Sequence, residues 1–286
     1  MLDHASSYAN GGAVKKTKHI EIQGHRGARS VLPENTLVAF EYAMEIGVDT
    51  LEFDLGVTSD EVVVVYHDQK INPTICQYLD GSPIEGDRWL HQMTLEEVKK
   101  VDCGAKPNPR FPFQTLKPKS QIPTLDEVFK MVADSSLENA GTILFNIETK
   151  SNPNHPQAQP EPERFVELIL EQVVKHGVDD RVTIQSFDHR TLIAAKQLAP
   201  DVQLSALFGE APTDWIIAAK AAKADIVSPH YKTLDQASVK AIQSAGLRVI
   251  PWTANTEASW QQLVSIGVDG IISDDPARLM EFLDSL

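Results

Sequence analysis

Residues 20–55 read IEIQGHRGARSVLPENTLVAFEYAMEIGVDTLEFDL, and the order of patterns in them decides the fold. A short β-type apolar run over 20–23 gives way to helical spacing of apolar residues over 36–46. Gly47 stands where a left-handed residue ends a helix, and a second β-type run covers 50–55. Strand, helix and strand in so short a span is a βα unit feeding a parallel sheet.

The same alternation continues outward. Further β-type runs at 143–148, 182–186, 202–207, 226–229, 249–253 and 270–273 bring the count to eight. Helical spacing recurs at 125–132, 162–176, 190–198, 213–222, 236–245, 258–266 and 277–283. Gly177, Gly246 and Gly267 repeat the role of Gly47, and Pro123-Thr124 and Asp275-Pro276 read as helix starts. Ile46-Gly47-Val48-Asp49 is echoed by Ile266-Gly267-Val268-Asp269, each leading into a strand. The expected fold is α/β, a TIM (β/α)8 barrel over residues 18–286. Such barrels run to about 250 residues, which suits this length.

Two stretches depart from the repeat. A run at 62–67 follows the second strand too closely for a crossover helix and is expected as a hairpin arm. Residues 69–122 carry Trp89, Pro107, Pro109, Phe111, Pro112 and Phe113, with one helix near 95–101. A loop of that length predicts a small inserted subdomain after the second strand, over the barrel mouth, with its aromatic residues as its core. Residues 151–162, with four prolines, predict a second exposed loop.

Composition narrows the function. An apolar fraction of 42% supports a large core, and the unbroken apolar runs are too short to cross a bilayer. The net charge of −14 argues against nucleic acid as partner, since backbone binding needs a basic stripe. A small anionic substrate requires Arg26, Lys150 and a bound cation to reverse the sign locally. Cys76 and Cys103 are too few for a disulfide scaffold; they suit free thiols in a cytoplasmic protein or one bridge in a periplasmic or secreted one. Residues 1–17 are mostly small and polar and lack a signal core, as in an N-terminal tail or a segment standing in for a removed leader. Nothing in the sequence sets the oligomeric state.

In such a barrel the reacting groups sit at the C-terminal ends of the strands, and polar residues collect there. Glu52 and Asp54, two apart on a strand, face one side and repel unless a cation lies between them. With Glu148 they form an oxygen-only set suited to one divalent cation, Mg2+ or Ca2+. His25 and His67 can divide acid and base roles, and Arg26 offers a planar fork to a phosphate oxygen. P-loop, Gly-x-Ser-x-Gly and His-Glu-x-x-His motifs are absent from the sequence.

These motifs resemble those of the glycerophosphodiester phosphodiesterases. The resemblance rests on His25-Arg26-Gly27, Pro33-Glu34-Asn35-Thr36, Glu52-Phe53-Asp54, Thr58-Ser59-Asp60 and His67-Asp68. It continues through Ile122-Pro123-Thr124-Leu125, Asn146-Ile147-Glu148, Gln185-Ser186-Phe187-Asp188, Trp252-Thr253-Ala254-Asn255 and Gly270-Ile271-Ile272-Ser273-Asp274. It implies cleavage of a small glycerophosphodiester to sn-glycerol 3-phosphate and an alcohol. His25 and His67 are then acid and base, and Glu52, Asp54 and Glu148 the metal ligands. Arg26, Lys150 and Trp252 bind substrate, with Asn35 and Gln185 in support. Thr149 stands where the family commonly has an aliphatic residue, and the insertion differs from a short Gly-rich version, leaving the alcohol open. A lysophospholipase D acting on acylated diesters is an alternative, as is a silent barrel that binds polyol phosphates.

Overall fold

The computed structural model describes residues 19–286; the tail expected over 1–17 lies outside them. The chain runs β1 (Glu21–His25), α1 (Leu37–Ile46), β2 (Thr50–Val57) and β3 (Val63–Val65). Short strands β4 (Gln77–Tyr78) and β5 (Val101–Asp102) flank the one-turn α2 (Leu95–Val98). There follow α3 (Leu125–Ala133), β6 (Leu144–Thr149), α4 (Pro162–His176), β7 (Val182–Ser186), α5 (His189–Leu198) and β8 (Gln203–Phe208). The last units are α6 (Trp215–Ala221), β9 (Ile226–Pro229), α7 (Gln236–Ser244), β10 (Arg248–Val249), α8 (Glu257–Ile266), β11 (Gly270–Ser273) and α9 (Pro276–Asp284).

Eight parallel strands form a nearly closed barrel in the order β10-β9-β8-β7-β6-β2-β1-β11, ringed by helices. Asp269 N–H donates to Val249 O and Ile272 N–H to Pro251 O, joining β11 to the end of β10. The run expected at 249–253 is cut to two residues because Pro251 has no N–H to give a ladder. β3 pairs antiparallel with β2 as the expected hairpin arm.

The repeat is visible in its side chains. Asp49 accepts the N–H of Ile22, Asp225 that of Leu204 and Asp269 that of Val249, so an acid before one strand holds the start of its neighbour. Gly47 and Gly267 end their helices at φ 91° and 82°. Thr124 and Asp275 cap α3 and α9, as their sequence predicts.

Most of the apolar core lies between the strands and the helices, around Phe40, Phe53, Phe129, Phe145 and Phe165. Inside the barrel the floor is polar on one side: Gln23 donates to Glu21, Thr50 donates to Glu21, and Asn146 donates to Gln23. Ile226, Ile250 and Ile272 fill the other side.

The insertion has its own apolar cluster of Val64, Tyr66, Ile71, Ile84, Leu90, Met93, Val98, Val101 and Ile122, with Cys76 and Cys103 joined in a disulfide. Trp89, Phe111 and Phe113, expected as its core, are not part of that cluster. Trp89 and Phe111 are only half-buried, and Phe113 is 95% exposed. Aliphatic residues and the bridge pack the interior, and the prolines around Phe111 and Phe113 keep that stretch on the surface. Among the described residues no helix is long and apolar enough to cross a membrane.

The bridge spans 27 residues, and closing such a loop stabilises by roughly 3 kcal/mol. A Cys76→Ser/Cys103→Ser variant is expected to lose about that much in urea unfolding. An unchanged midpoint would show that the bridge adds nothing.

Candidate active site

Strand register builds the site. On β2, Leu51, Phe53 and Leu55 pack into the outer core, which turns Glu52 and Asp54 to the opposite face. Across the ladders His25 stands level with Glu52, Asp54 with Glu148, and Glu148 with Gln185. One oxygen from each of Glu52, Asp54 and Glu148 lies within 4.8 Å of the others, and all three side chains are buried.

The acids are held by a shared set of donors. Glu52 accepts from Gln185 Nε2 at 2.6 Å and from the Arg26 backbone N–H at 3.1 Å. Asp54 Oδ2 accepts from Asn35 Nδ2 at 2.9 Å and lies 3.0 Å from Arg26 Nε. Glu148 accepts from Lys150 Nζ at 2.5 Å, and Lys150 is 3.5 Å from Asp54 Oδ1. Arg26 also donates to Glu34 at 2.5 Å. Arg26 and Asn35 adopt left-handed φ of 53° and 57°, a strained backbone held by Asn35 N–H donating to Arg26 O. Gly24 and Gly27 make this turn possible: a Cβ on Gly24 would stand 2.3 Å from Gly27 O, and Gly27 has φ 86°.

Burial, then repulsion from Asp54 and Glu148, pushes Glu52 well above the usual carboxylate range. Burial also raises Glu148, against the pull of Lys150. Burial alone would raise Asp54 too, but Arg26, then His67 and Lys150, hold it well below. Buried Asp54 Oδ1 receives no hydrogen bond. Three carboxylates, one with a bare buried oxygen, fit a hard divalent cation taking oxygen ligands.

The two histidines sit differently. His25 Nδ1 is 2.5 Å from Asp274 Oδ1, and its Nε2 is 3.9 Å from Glu52. A carboxylate only accepts, so Nδ1 carries the proton and Nε2 is the basic nitrogen. Burial, then Arg29, outweighs Asp274 and pushes His25 down to about 4, so the ring is neutral at neutral pH. His67 is partly exposed and bonds Asp68 through Nδ1 at 2.6 Å.

Eight of the residues singled out in the sequence line one cavity of about 370 Å3: His25, Arg26, Glu52, His67, Glu148, Lys150, Gln185 and Trp252. Asp54 and Asn35 stand behind them, joined to Arg26 as described. Trp252 donates its indole N–H to Ser228 O and meets Phe187 and His230 edge to face. Arg29 and the role of Asp274 escaped the sequence reading. Asp274 accepts from Arg29 Nε at 2.6 Å and from Asn255 Nδ2 at 2.7 Å as well as pairing with His25. The signals available were its place at the end of the last strand and in the motif Gly270-Ile271-Ile272-Ser273-Asp274.

Comparison with known proteins points to one family. A family model described as the glycerophosphoryl diester phosphodiesterase family matches residues 25–278. A glycerophosphodiester phosphodiesterase of Caldanaerobacter subterraneus subsp. tengcongensis is 31% identical over 261 residues, 91% of this chain and 96% of the relative. A provisionally named glycerophosphoryl diester phosphodiesterase from Silicibacter pomeroyi superposes with a TM-score of 0.86 at 27% identity, over 94% of this chain and 95% of its own. An Oleispira antarctica phosphodiesterase, solved with its product sn-glycerol 3-phosphate, has the same fold at 24% identity and a TM-score of 0.77, covering 92% and 96% of the two chains.

Asp274 is held well below its ordinary value: burial opposes this, but the pairing with His25 and Arg29 prevails. A depressed carboxylate contributes stability above its unfolded value of about 4 and loses it as pH falls. Asp274→Asn leaves the buried Arg29 only the longer pair with Glu34 at 3.6 Å and is expected to cost about 3 kcal/mol at neutral pH. Urea unfolding of the variant is expected to fall less steeply below about pH 4 than that of the wild type; equal slopes would remove Asp274 from the acid response.

Proposed function

Because the chain belongs to the glycerophosphoryl diester phosphodiesterase family and is an enzyme of that class, we propose that it hydrolyses small glycerophosphodiesters to sn-glycerol 3-phosphate and an alcohol. One divalent cation, Mg2+ or Ca2+, is held by Glu52, Asp54 and Glu148, and His25 and His67 divide the proton transfers. The observation that carries this reading is the three-carboxylate cluster, of which Glu52 and Glu148 line one cavity with both histidines while Asp54 stands behind them.

When bound, the cation supplies charge to a phosphate oxygen and to substrate hydroxyls, the chief need of phosphoryl transfer. Arg26 and Lys150 line the same cavity and add their positive charge beside the phosphate. Glu148 and Asp54 outweigh burial and keep Lys150 charged. Trp252 offers an apolar wall to the glycerol carbons.

His25 suits the base. Burial keeps it neutral, Asp274 fixes its Nδ1–H, and Nε2 is left to take a proton from the attacking hydroxyl, either of water or of the glycerol 2-position, the latter giving a cyclic phosphate that water then opens to glycerol 3-phosphate. His67 suits the acid. A second cavity of about 420 Å3, lined by Asp68, Ser151 and Asn152, shares His67, Glu148, Lys150 and Phe187 with the first. A diester lying across that shared wall, with glycerol phosphate in the first cavity and the alcohol in the second, puts its leaving oxygen beside His67. The ring then gives that oxygen a proton.

A coupled assay for glycerol 3-phosphate tests this with glycerophosphocholine, glycerophosphoethanolamine and glycerophosphoglycerol, each with Mg2+, Ca2+ or a chelator. Release is expected only with metal. His25→Ala and His67→Ala are each expected to lower turnover about 10²–10⁴-fold. Near-normal turnover in either variant would contradict its role.

A further inference from the structure

Besides Arg110, which lines the catalytic cavity, the insertion carries basic and apolar residues that do not line it. From Gly104 to Ile122 there are four cations, Lys106, Arg110, Lys117 and Lys119, and no acid, in a chain of net charge −14. The same loop exposes Phe113 almost completely and Leu116 by 39%. Among the large apolar side chains of the described residues Phe113 is the most exposed, at 95%.

The exposure is built into a fixed loop. Gln114 Nε2 donates to Arg29 O and Leu32 O at 2.7 Å, and Thr115 N–H donates to Val31 O at 2.8 Å. Lys117 N–H donates to Gly104 O, and a Cβ on Gly104 would lie 2.0 Å from Lys117 O, so the two arms of the loop touch there. These bonds tie the loop to the segment between β1 and α1, at the rim of the active site. Arg110 lines the catalytic cavity, and Phe111 packs under the Arg29 guanidinium at 5.1 Å. The lysines and Phe113 therefore stand beside the barrel mouth.

We propose that this loop docks the enzyme on an anionic lipid surface, with Phe113 and Leu116 entering the acyl boundary and Lys117 and Lys119 meeting the headgroups. Charge selects that partner. The chain's net charge of −14 opposes an anionic surface, and the acid-free loop with its four cations offers that surface a local charge of the opposite sign. At physiological ionic strength screening over about 8 Å leaves the near face to decide. One aromatic anchor with a few basic residues gives reversible attachment, not insertion. Docked in this way, the mouth faces the membrane, where diesters released from lipids and acylated diesters are both found.

Flotation of the full chain with vesicles tests the proposal. The wild type is expected to float with mixed phosphatidylcholine–phosphatidylglycerol vesicles, less at high salt, and not with phosphatidylcholine alone. Phe113→Ser and Lys117→Glu/Lys119→Glu are each expected to weaken binding about tenfold or more. Both are expected to release glycerol 3-phosphate from soluble glycerophosphocholine at the wild-type rate, showing an intact fold. Absence of wild-type flotation, or equal flotation of the variants, would overturn the proposal. So would a lipid-free dimer, seen by sedimentation and dissolved by Phe113→Ser, which would make the loop a contact between copies.

Discussion

Three carboxylates brought within 4.8 Å of one another in a buried place are the constraint that the rest of the site answers. Left alone they would repel and protonate. Arg26 and Lys150 stand against Asp54 and Glu148, Gln185 and a backbone N–H hold Glu52, and Asn35 holds Asp54. Supplying that backbone N–H needs Arg26 in a left-handed conformation, which in turn needs glycines at 24 and 27. The opening motif of the chain is therefore a device for facing the acids of the second strand. The acidity of the whole protein is not repeated in the cavity, where Arg26, Arg29, Arg110 and Lys150 stand beside Glu52, Glu148 and Asp274.

The barrel contributes register. Neighbouring parallel strands set His25, Glu52, Asp54, Glu148 and Gln185 at adjoining levels, so residues more than a hundred positions apart meet without any loop having to arrange them. Below this layer one side of the floor is polar, with Glu21 accepting from Gln23 and Thr50 and Gln23 accepting from Asn146, and Ile226, Ile250 and Ile272 fill the other. Most of the apolar core is left to the interface between strands and helices. A site resting on rigid strands keeps its geometry while loops around it vary. The insertion, with its own small core and bridge, is such a variation.

Much of this could be read from the sequence because its signals are local. Apolar periodicity located the strands and helices, and polar residues ending apolar runs located the mouth. Glu52 and Asp54 share a face because a strand has a period of two, which spacing alone reveals. What the sequence hid was long-range or depended on burial. Asp274 meets His25 across 249 positions and Arg29 across 245, and no local pattern joins them. Pro251 shortened a strand that its apolar neighbours suggested was longer. The aromatic residues of the insertion looked like a core because composition carries no information on burial; Phe113 lies in water instead.

The central claim is that the carboxylate cluster is completed by one divalent cation. Calorimetric titration of Mg2+ or Ca2+ into metal-free protein, in two buffers of different ionisation heat, tests it most directly. The account predicts saturable binding of one ion per chain with release of protons, because Glu52 is pushed toward its protonated form without the ion. It also predicts weaker binding in Glu148→Gln. Heats of dilution alone, or unchanged binding in that variant, would contradict the account.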